Sequence, residues 1–386
     1  MNTLIMHNTL WSKYKAAVFT QLEIIAFESF IDFNFVHIAE TEDDRVSLSS
    51  VDYESHKYNY ELLCSGTIES NWWPKRSFRL IKYLNSKKWN LVLIPGYYRP
   101  EYWIALVYCL IKKIKIGLFC DSTKFDSHSS SARLFLKRIF VFFCDGYFAY
   151  GRRSSDYLRF LGADSKVIFE RCQAAALPGD YSAKNIIRRR QNIRNSTSVF
   201  KVIYVGRLSP EKDLLTLLKA WAVVSDKWPS AQLDLFGSGP QDRELKRSVE
   251  SMGLSAQVRF LGAKEIADIY DAYIAADLLV LPSMREPWGL VVNEALSFGC
   301  PVVVSDRCGC VPELVLDGQT GFQFRGGDPV DLAVKIDRAL ERFYKNGEAS
   351  RHCTEHMEKF TSVIAAQQIL DGCQKLLAGP TPATNR

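Results

Sequence analysis

The chain has 386 residues, 47% of them apolar and 24% charged, with a formal net charge of +6. This length predicts two domains, each large enough to bury its own core. The mild positive charge suits an anionic ligand or an anionic membrane surface, and the lack of an arginine-rich arm or zinc-finger spacing argues against a nucleic-acid-binding protein. The ten cysteines form no CxxC pair, so we expect reduced, mostly buried thiols and no metal site.

Short apolar runs alternate with longer amphipathic ones through the first half of the chain. The predicted strands are TLIMH, FNFVHIAE, NLVLIPG, IKIGLFCD, GYFAYG and KVIFER. The predicted helices between them are YKAAVFTQLEIIAF, FRLIKYLNSKKW, EYWIALVYCLIKK, SARLFLKRIFVFFC and RSSDYLRFLG. Strands that alternate with helices are typical of a parallel, doubly wound sheet.

The alternation stops at a polar, basic stretch and then starts again. We predict an N-terminal Rossmann-like domain over residues 1–175, a linker over 176–198 and a second Rossmann-like domain over 199–355. A last amphipathic helix over 356–378 and a polar tail over 379–386 complete the chain. Because doubly wound sheets bind ligands beyond the carboxyl ends of their strands, the cleft between two such units is the expected site.

The first 15 residues have too short an apolar stretch for a secretory leader. The best candidate for a membrane span, Tyr102 to Phe119, is interrupted by three lysines, so we expect no spanning helix. The segment SARLFLKRIFVFFC combines Arg133, Lys137 and Arg138 with a strongly apolar face. Two interpretations stand: a helix that lies on an anionic bilayer, or an internal helix with one charged edge. We therefore predict a cytoplasmic protein, peripheral to a membrane under the first interpretation.

The segment from Arg285 to Asp306 places Glu286 and Glu294 eight residues apart, just after the buried strand DLLVLPS. We expect Glu286 in the loop beyond that strand, Pro287 in the first turn of a helix and Gly289 where the backbone approaches a ligand. Eight residues span a little over two helical turns, so both carboxylates are predicted on one face. The alternative is that Glu286 caps the helix and Glu294 is solvated.

A second candidate motif is YVGRLSPEKD, in which a strand ends at Gly206 and is followed by Arg207 and Lys212. Two cations at a strand–helix junction suit a diphosphate, and a turn with surface charges is the alternative. Three glycine turns are weaker signals: LFGSGP, RFLGAK with Leu261 and Gly262, and CGCVPELV. The first is not GxGxxG and does not predict a dinucleotide site.

Together these motifs resemble the donor-binding half of the retaining glycosyltransferases of family 4, which have the GT-B fold. Glu286 to Glu294 resembles the Glu-x7-Glu motif of that family, and GRLSPEKD resembles its phosphate-binding segment. The resemblance extends over roughly residues 202–332. It implies an α/β fold with two facing Rossmann-like doubly wound parallel sheets, an interdomain cleft, and a last helix that packs back on the first domain.

The resemblance also implies a role for each matching residue. Arg207 and Lys212 would neutralise the diphosphate leaving group, Glu286 would hold donor-sugar hydroxyls and Glu294 the ribose. Backbone amides would contact the sugar or phosphate, and a glycine turn would meet the base; these donor-binding positions are Gly206, Leu261, Gly262, Trp288, Gly289 and Leu290. Family members usually need no metal ion, so no cofactor is expected beyond the nucleotide diphosphate sugar as co-substrate.

The first half departs from the family pattern. Where many members have a Gly-Gly loop after the first strand, this chain has HNTLWSKYK, with Lys13 and Tyr14 as candidates to substitute. Where many members have a histidine after the fourth strand, this chain has Asp121 in GLFCDST. Asp121 is expected either to contact donor or acceptor hydroxyls or act as a base, or else to cap the next turn with Ser122 and Thr123.

We therefore predict a retaining glycosyltransferase that moves a sugar from a nucleotide diphosphate sugar to an acceptor hydroxyl, in polysaccharide or lipid-linked glycan synthesis. The predicted catalytic residues are Glu286, Arg207, Lys212 and Asp121. The alternatives are a nucleotide-sugar epimerase of the same fold and a non-catalytic sugar-nucleotide-binding protein. A phosphorylase would need a pyridoxal lysine and a longer chain. The predicted partners are the donor, a glycan or lipid-linked glycan acceptor and an anionic membrane surface.

Overall fold

The computed structural model describes residues 1–46, 50–125, 130–344 and 347–379. The chain divides into two compact units. Unit 1 consists of Met1–Ala176 together with the described residues from Thr361 onward, and unit 2 is Leu177–Phe360. Apart from residue 379, the predicted tail over 379–386 lies outside the described residues.

Unit 1 contains, within its described residues, a seven-stranded sheet in the order β3-β2-β1-β4-β5-β6-β7, and every strand pair is parallel. Its strands are β1 (Asn2–Thr9), β2 (Asp32–Ala39), β3 (Tyr60–Leu62), β4 (Leu91–Ile94), β5 (Lys115–Cys120), β6 (Gly146–Tyr150) and β7 (Ile168–Arg171). The helices between them are α1 (Lys13–Ala26), α2 (Trp73–Leu84), α3 (Pro100–Lys112), α4 (Ser131–Phe142) and α5 (Gly151–Leu161).

Unit 2 contains, within the part of it that is described, a six-stranded parallel sheet in the order β10-β9-β8-β11-β12-β13. Its strands are β8 (Lys201–Val205), β9 (Gln232–Phe236), β10 (Val258–Gly262), β11 (Leu278–Leu281), β12 (Val302–Ser305) and β13 (Gly321–Phe324). Its helices are α6 (Ala183–Ser196), α7 (Leu214–Lys227), α8 (Asp242–Ser251), α9 (Ile266–Ala275), α10 (Leu290–Ser297), α11 (Val311–Leu314), α12 (Pro329–Phe343) and α13 (Gly347–Met357).

The central strands explain why each half folds in this way. β4 (LVLI), β11 (LLVL) and β12 (VVVS) are buried at every position, as expected where helices cover both faces of a parallel sheet. The predicted α/β class with two doubly wound parallel sheets is confirmed. Each sheet reverses its strand order once, between β1 and β4 in unit 1 and between β8 and β11 in unit 2. Ligands bind at such reversals, beyond the carboxyl ends of the strands.

The predicted linker over residues 176–198 differs from what the structure shows. It contains α6, capped by Ser182, whose hydroxyl accepts a hydrogen bond from the backbone N–H of Asn185. Arg190 of this helix is buried and donates hydrogen bonds to the carbonyls of Tyr273, Ile274 and Ala276. Arg190 of this basic stretch therefore satisfies the last carbonyls of α9, which have no partners within that helix.

The last helix, α14 (Ser362–Ala378), belongs to unit 1. The Gln368 side-chain oxygen accepts a hydrogen bond from the backbone N–H of Cys172 at 2.7 Å. Lys115 at the start of β5 donates to the Leu376 carbonyl, also at 2.7 Å. The chain thus returns to the sheet of unit 1 after completing unit 2.

The apolar stretch from Tyr102 to Phe119 is divided between α3 and β5. Lys113 lies between them in the left-handed region, with φ of 56°. Among the described residues, no helix has both the length and the apolar character needed to cross a lipid bilayer.

Candidate active site at the strand ends of unit 2

The predicted diphosphate-binding cations and Glu286 lie on loops that follow β8 and β11, the two strands that flank the reversal of strand order in unit 2. The loop after β8 contains Gly206, Arg207 and Lys212. The loop after β11 contains Ser283 and Glu286. Since both loops leave the carboxyl edge of the same sheet, their side chains converge at the position where such sheets bind ligands.

Lys212 and Glu286 form an ion pair between the ammonium and a carboxylate oxygen. Their side chains are 18% and 15% exposed, so the pair is largely shielded from water but still accessible to solvent. Ser283 donates a second hydrogen bond to the same carboxylate oxygen at 3.3 Å. The pair places an ammonium and a carboxylate next to each other. A ligand with both negative charge and hydroxyl groups can bind the ammonium through its charge and the carboxylate through its hydroxyls.

Backbone hydrogen bonds fix the loop around Glu286. The N–H of Met284 donates to the Glu211 carbonyl at 2.9 Å, and the N–H groups of Gly309 and Cys310 donate to the carbonyls of Glu286 and Trp288. Gly309 permits this contact, because a Cβ atom there would lie 1.8 Å from the Pro287 oxygen. The loop after β12 therefore clamps the Glu286 loop in a way that needs glycine at position 309.

The helix after Glu286 starts later than the sequence pattern predicts. α10 begins at Leu290, and Gly289 precedes it with φ of 105°, a conformation that favours glycine. Pro287 lies in the loop, not in the first turn of the helix, and the prediction that both glutamates lie on one face of that helix is therefore wrong. Trp288 is buried and donates from its indole to the Asn293 side chain at 2.7 Å.

Glu294 lies on α10 and accepts a hydrogen bond from the Tyr273 hydroxyl at 2.8 Å. Burial raises the pKa of Glu294 to about 7, and the Tyr273 hydrogen bond opposes this shift. At neutral pH the carboxyl group therefore exchanges between an acid, which donates a hydrogen bond, and a carboxylate, which accepts. Both forms suit the paired hydroxyls of a sugar ring. The half-buried position differs from the solvated alternative for this residue.

Arg207 is half-buried, and its carbonyl accepts a hydrogen bond from the Tyr204 hydroxyl at 2.7 Å. Burial raises the pKa of Glu211, but the hydrogen bond from the Ser209 hydroxyl and, to a smaller degree, the charges of Lys212 and Arg207 keep it below its usual value. The two cations predicted to hold a diphosphate thus both act on the same carboxylate, Glu211. Leu261 and Gly262 end β10, and the Gly262 carbonyl accepts from the N–H of Gly237 at the end of β9.

In unit 1, Asp121 directly follows β5 and is exposed to solvent. The next turn is closed by Thr123, whose hydroxyl accepts from the backbone N–H of Phe125 at 3.2 Å. The protein around the Asp121 carboxyl group displaces part of its hydrating water, which raises its pKa, and the nearby Lys15 charge lowers it. Lys13, a candidate to replace the glycine loop, is paired with Asp52 at 3.0 Å. Tyr14 is half-buried on the same helix.

Sequence reasoning missed several residues that complete these sites. Ser283 and Tyr273, which donate to the two glutamates, gave no signal, because each lies in an ordinary strand end or helix. Lys15 and Arg171 of unit 1 were also missed. Lys15 did carry a signal, since it stands on the apolar stripe of α1 with Val18, Phe19 and Leu22, where a charge needs a reason.

Within the described ranges, no group of three or more histidine, cysteine, aspartate or glutamate side chains is arranged to hold a metal ion. Cys308 and Cys310, close to the clamped loop, are both fully buried. That the reaction needs no metal ion stays a prediction.

Comparison with known proteins relates part of the chain to glycosyl transferases. The family model "Glycosyl transferases group 1" matches residues 185–359, a little under half of the chain. A D-inositol 3-phosphate glycosyltransferase of Corynebacterium kroppenstedtii is 30% identical over 201 residues, which cover 50% of this chain and 44% of the relative. The sulfoquinovosyl transferase SQD2 of Arabidopsis thaliana is 37% identical over 171 residues, covering 44% of this chain and 32% of the relative. The chain thus aligns with less than half the length of these curated relatives.

The likeness to solved structures extends over almost the whole chain. The Anabaena protein Alr3699/HepE, solved in complex with UDP and glucose, has a TM-score of 0.73 and 21% sequence identity. The match covers 97% of this chain and 100% of that protein. The chain therefore has the GT-B fold class, and its residues 185–359, which include both Glu286 and Lys212, match the model of the group 1 glycosyl transferases.

Proposed function

We propose that this protein is a retaining glycosyltransferase that transfers a sugar from a nucleotide diphosphate sugar to an acceptor hydroxyl. The observation that carries the proposal is the ion pair between Lys212 and Glu286 at the strand reversal of unit 2. The pair lies inside the segment that matches the glycosyl transferase family model. Because UDP is present in a solved protein of the same fold, uridine diphosphate sugars are the first donors to test.

The proposed roles follow from charge and position. Arg207 and Lys212 bind the diphosphate, and their stabilisation grows in the transition state as negative charge develops on the leaving phosphate oxygen. When the diphosphate takes over Lys212, the Glu286 carboxylate is released to accept hydrogen bonds from the donor sugar. Glu294 and the end of α9 hold the ribose. In this proposal two cations provide the electrostatic stabilisation that a metal ion provides in other transferases.

In the proposed reaction, the bond between the anomeric carbon and the diphosphate oxygen breaks. The acceptor hydroxyl oxygen forms the new bond on the same face of the sugar, which retains the anomeric configuration. The acceptor proton passes to the departing phosphate oxygen, so no separate base is required. Asp121 is proposed to orient an acceptor hydroxyl in unit 1.

The experiment measures nucleoside diphosphate release from a panel of UDP, GDP, ADP and dTDP sugars with mixed glycan acceptors, and follows the sugar by NMR. We expect release from one class of donor and a product with the donor's anomeric configuration. An inverted product would contradict retention. A change of configuration at another ring carbon would identify an epimerase, and absence of turnover with every donor would favour a non-catalytic binding protein.

We further propose that α4 contacts an anionic membrane surface. Phe135, Leu136 and Phe142 of this helix are exposed by 63%, 50% and 62%, so much of its apolar surface is not used in the core. Arg133 and Arg138 are exposed on the same helix. A helix that offers both apolar and basic side chains to solvent suits the interface of an anionic bilayer.

Flotation with liposomes tests this contact. We expect the protein to float with vesicles that contain phosphatidylglycerol, and less so at high salt. The variant Phe135→Ser/Leu136→Ser should lose most of the bound fraction, whereas Val334→Ser, an exposed valine on α12, should not. Equal flotation of all three proteins, or none with wild type, would reject α4 as a membrane contact.

A further inference from the structure

Two cations of unit 1 lie against the same aromatic ring. The Lys15 ammonium is 4.1 Å and the Arg171 guanidinium carbon 4.5 Å from the ring centre of Tyr150. The Lys15 ammonium also donates to the Tyr150 hydroxyl. Both cations are almost completely buried, with Lys15 4% exposed and Arg171 less than 2%. Burial of two neighbouring positive charges is costly unless a negative charge accompanies them.

Within the described part of the chain, Arg171 forms no ion pair with an acid. Among the described residues, none accepts a hydrogen bond from any of its three guanidinium nitrogens. The ring of Phe119, at 5.6 Å, lies against it as a second aromatic neighbour. The adjacent acid, Glu170, is directed to Arg159 at 3.8 Å. A buried guanidinium with five N–H donors that lies against two aromatic rings suits a planar or tetrahedral oxyanion.

Lys15 is compensated only in part. Burial and the neighbouring Arg171 charge lower its pKa well below the usual value, and the Asp121 carboxylate acts in the opposite direction. Asp121 is exposed, so the cluster opens to solvent on that side. Among the described residues, Asp121 is the carboxylate that acts on Lys15.

The cluster lies where a ligand is expected. Tyr150 and Arg171 end β6 and β7 and are register partners, and Asp121 follows the end of β5. Lys15 lies in the first turn of α1, which follows β1 at the same edge. All four side chains therefore collect at the carboxyl edge of the unit 1 sheet, and the free amides at the start of α1 add to the positive field there.

We infer that unit 1 contains an anion-binding site in which Arg171 and Lys15 hold an oxyanion, phosphate or carboxylate, of the acceptor. That this anion belongs to the acceptor rests on the proposed function, in which Arg207 and Lys212 of unit 2 bind the donor diphosphate. The anion accepts hydrogen bonds from Arg171 and brings a negative charge to its buried guanidinium. Asp121, beside Lys15, then faces the neutral hydroxyl part of the same molecule. The acceptor class is accordingly a sugar or polyol phosphate, or an acidic sugar.

The test uses thermal unfolding in chloride buffer with inorganic phosphate or acetate as probe, and takes the variant Arg207→Met/Lys212→Met as background. In this background the unit 2 cations are absent, so a response reports unit 1. We expect about 10 mM phosphate to raise the unfolding midpoint by about 3 °C. A larger response to phosphate than to acetate indicates an acceptor phosphate, and the reverse indicates a carboxylate.

Adding Arg171→Met should abolish this response and raise the midpoint without anion, because an unpaired buried charge is removed. Arg171→Lys should retain part of the response, and Arg152→Met, an exposed arginine of α5, should retain all of it. A response that persists in both Arg171→Met and Lys15→Met, or no response in the background protein, would overturn the site. These outcomes do not depend on nucleotide binding, which a separate titration of the wild type with nucleoside diphosphates decides.

Discussion

Replacing Glu286 by glutamine is expected to lower the rate of sugar transfer roughly 100- to 1000-fold. Glutamine keeps the size of the side chain but cannot pair with Lys212 or accept with full charge from donor hydroxyls. The loss is expected mainly in kcat, because the hydrogen bonds of the released Glu286 carboxylate to the donor sugar tighten as the diphosphate leaves. The rate is measured as nucleoside diphosphate release at saturating donor.

The fold should survive this change, since the Lys212–Glu286 pair is partly solvated. A partly exposed pair contributes about 1 kcal/mol, so the unfolding midpoint should move by roughly 2–4 °C at most. The matched control is Glu250→Gln, an exposed acid on α8, which should leave both rate and midpoint unchanged. Wild-type turnover by Glu286→Gln would remove this residue from the catalytic machinery.

The Lys212→Met variant is expected to bind nucleoside diphosphate about 30- to 100-fold more weakly, since a charge-assisted hydrogen bond to phosphate contributes roughly 2–3 kcal/mol. Arg207→Met should weaken binding to a similar degree. The affinity is measured by calorimetry with the free diphosphate and with the corresponding monophosphate. Only the diphosphate should lose affinity strongly, because the monophosphate lacks the group that these cations hold.

Lys219→Met provides the control for charge. Lys219 is exposed on α7, seven residues after Lys212, so this variant removes the same net charge from the same region without removing a contact. It should bind the diphosphate as the wild type does. Equal weakening by Lys212→Met and Lys219→Met would mean that the general field, and not a contact, determines affinity.

Most of the fold could be predicted because the strands of a parallel sheet are continuous apolar runs. β4, β11 and β12 are recognisable in the sequence for this reason. α6 was not predicted, since its sequence is polar and basic and its arginines gain their role only from the carbonyls of α9. β3, only three residues long, lacks enough residues for a period to show.

For the site in unit 2, spacing and residue type placed Glu286 and Lys212 each on a loop beyond the carboxyl end of a strand, and the family resemblance joined the two loops in one predicted site. Spacing alone could not give the start of α10, which depends on the left-handed conformation of Gly289 and on the clamp by Gly309. Tyr273 donates to Glu294 from a different helix, a contact that only the packing of α9 against α10 creates.

The cluster in unit 1 could not be predicted from the spacing of its residues in the sequence. Lys15 and Arg171 are 156 positions apart in the sequence, and the parallel order of β1, β4, β5, β6 and β7 brings their elements to one edge. Lys15 was missed, although its charge on the apolar stripe of α1 was a signal that could have found it. Nothing in the sequence marked Arg171, because an arginine at the end of a strand is usually solvated.

The central claim is that the donor diphosphate binds at the Lys212–Glu286 pair of unit 2. The most direct test is a crystal structure of the protein in complex with the nucleoside diphosphate that it binds most tightly. The account predicts phosphate oxygens within hydrogen-bond distance of both Arg207 and Lys212, with Glu286 released from the ammonium. A diphosphate bound elsewhere, with the Lys212–Glu286 pair intact, would contradict it.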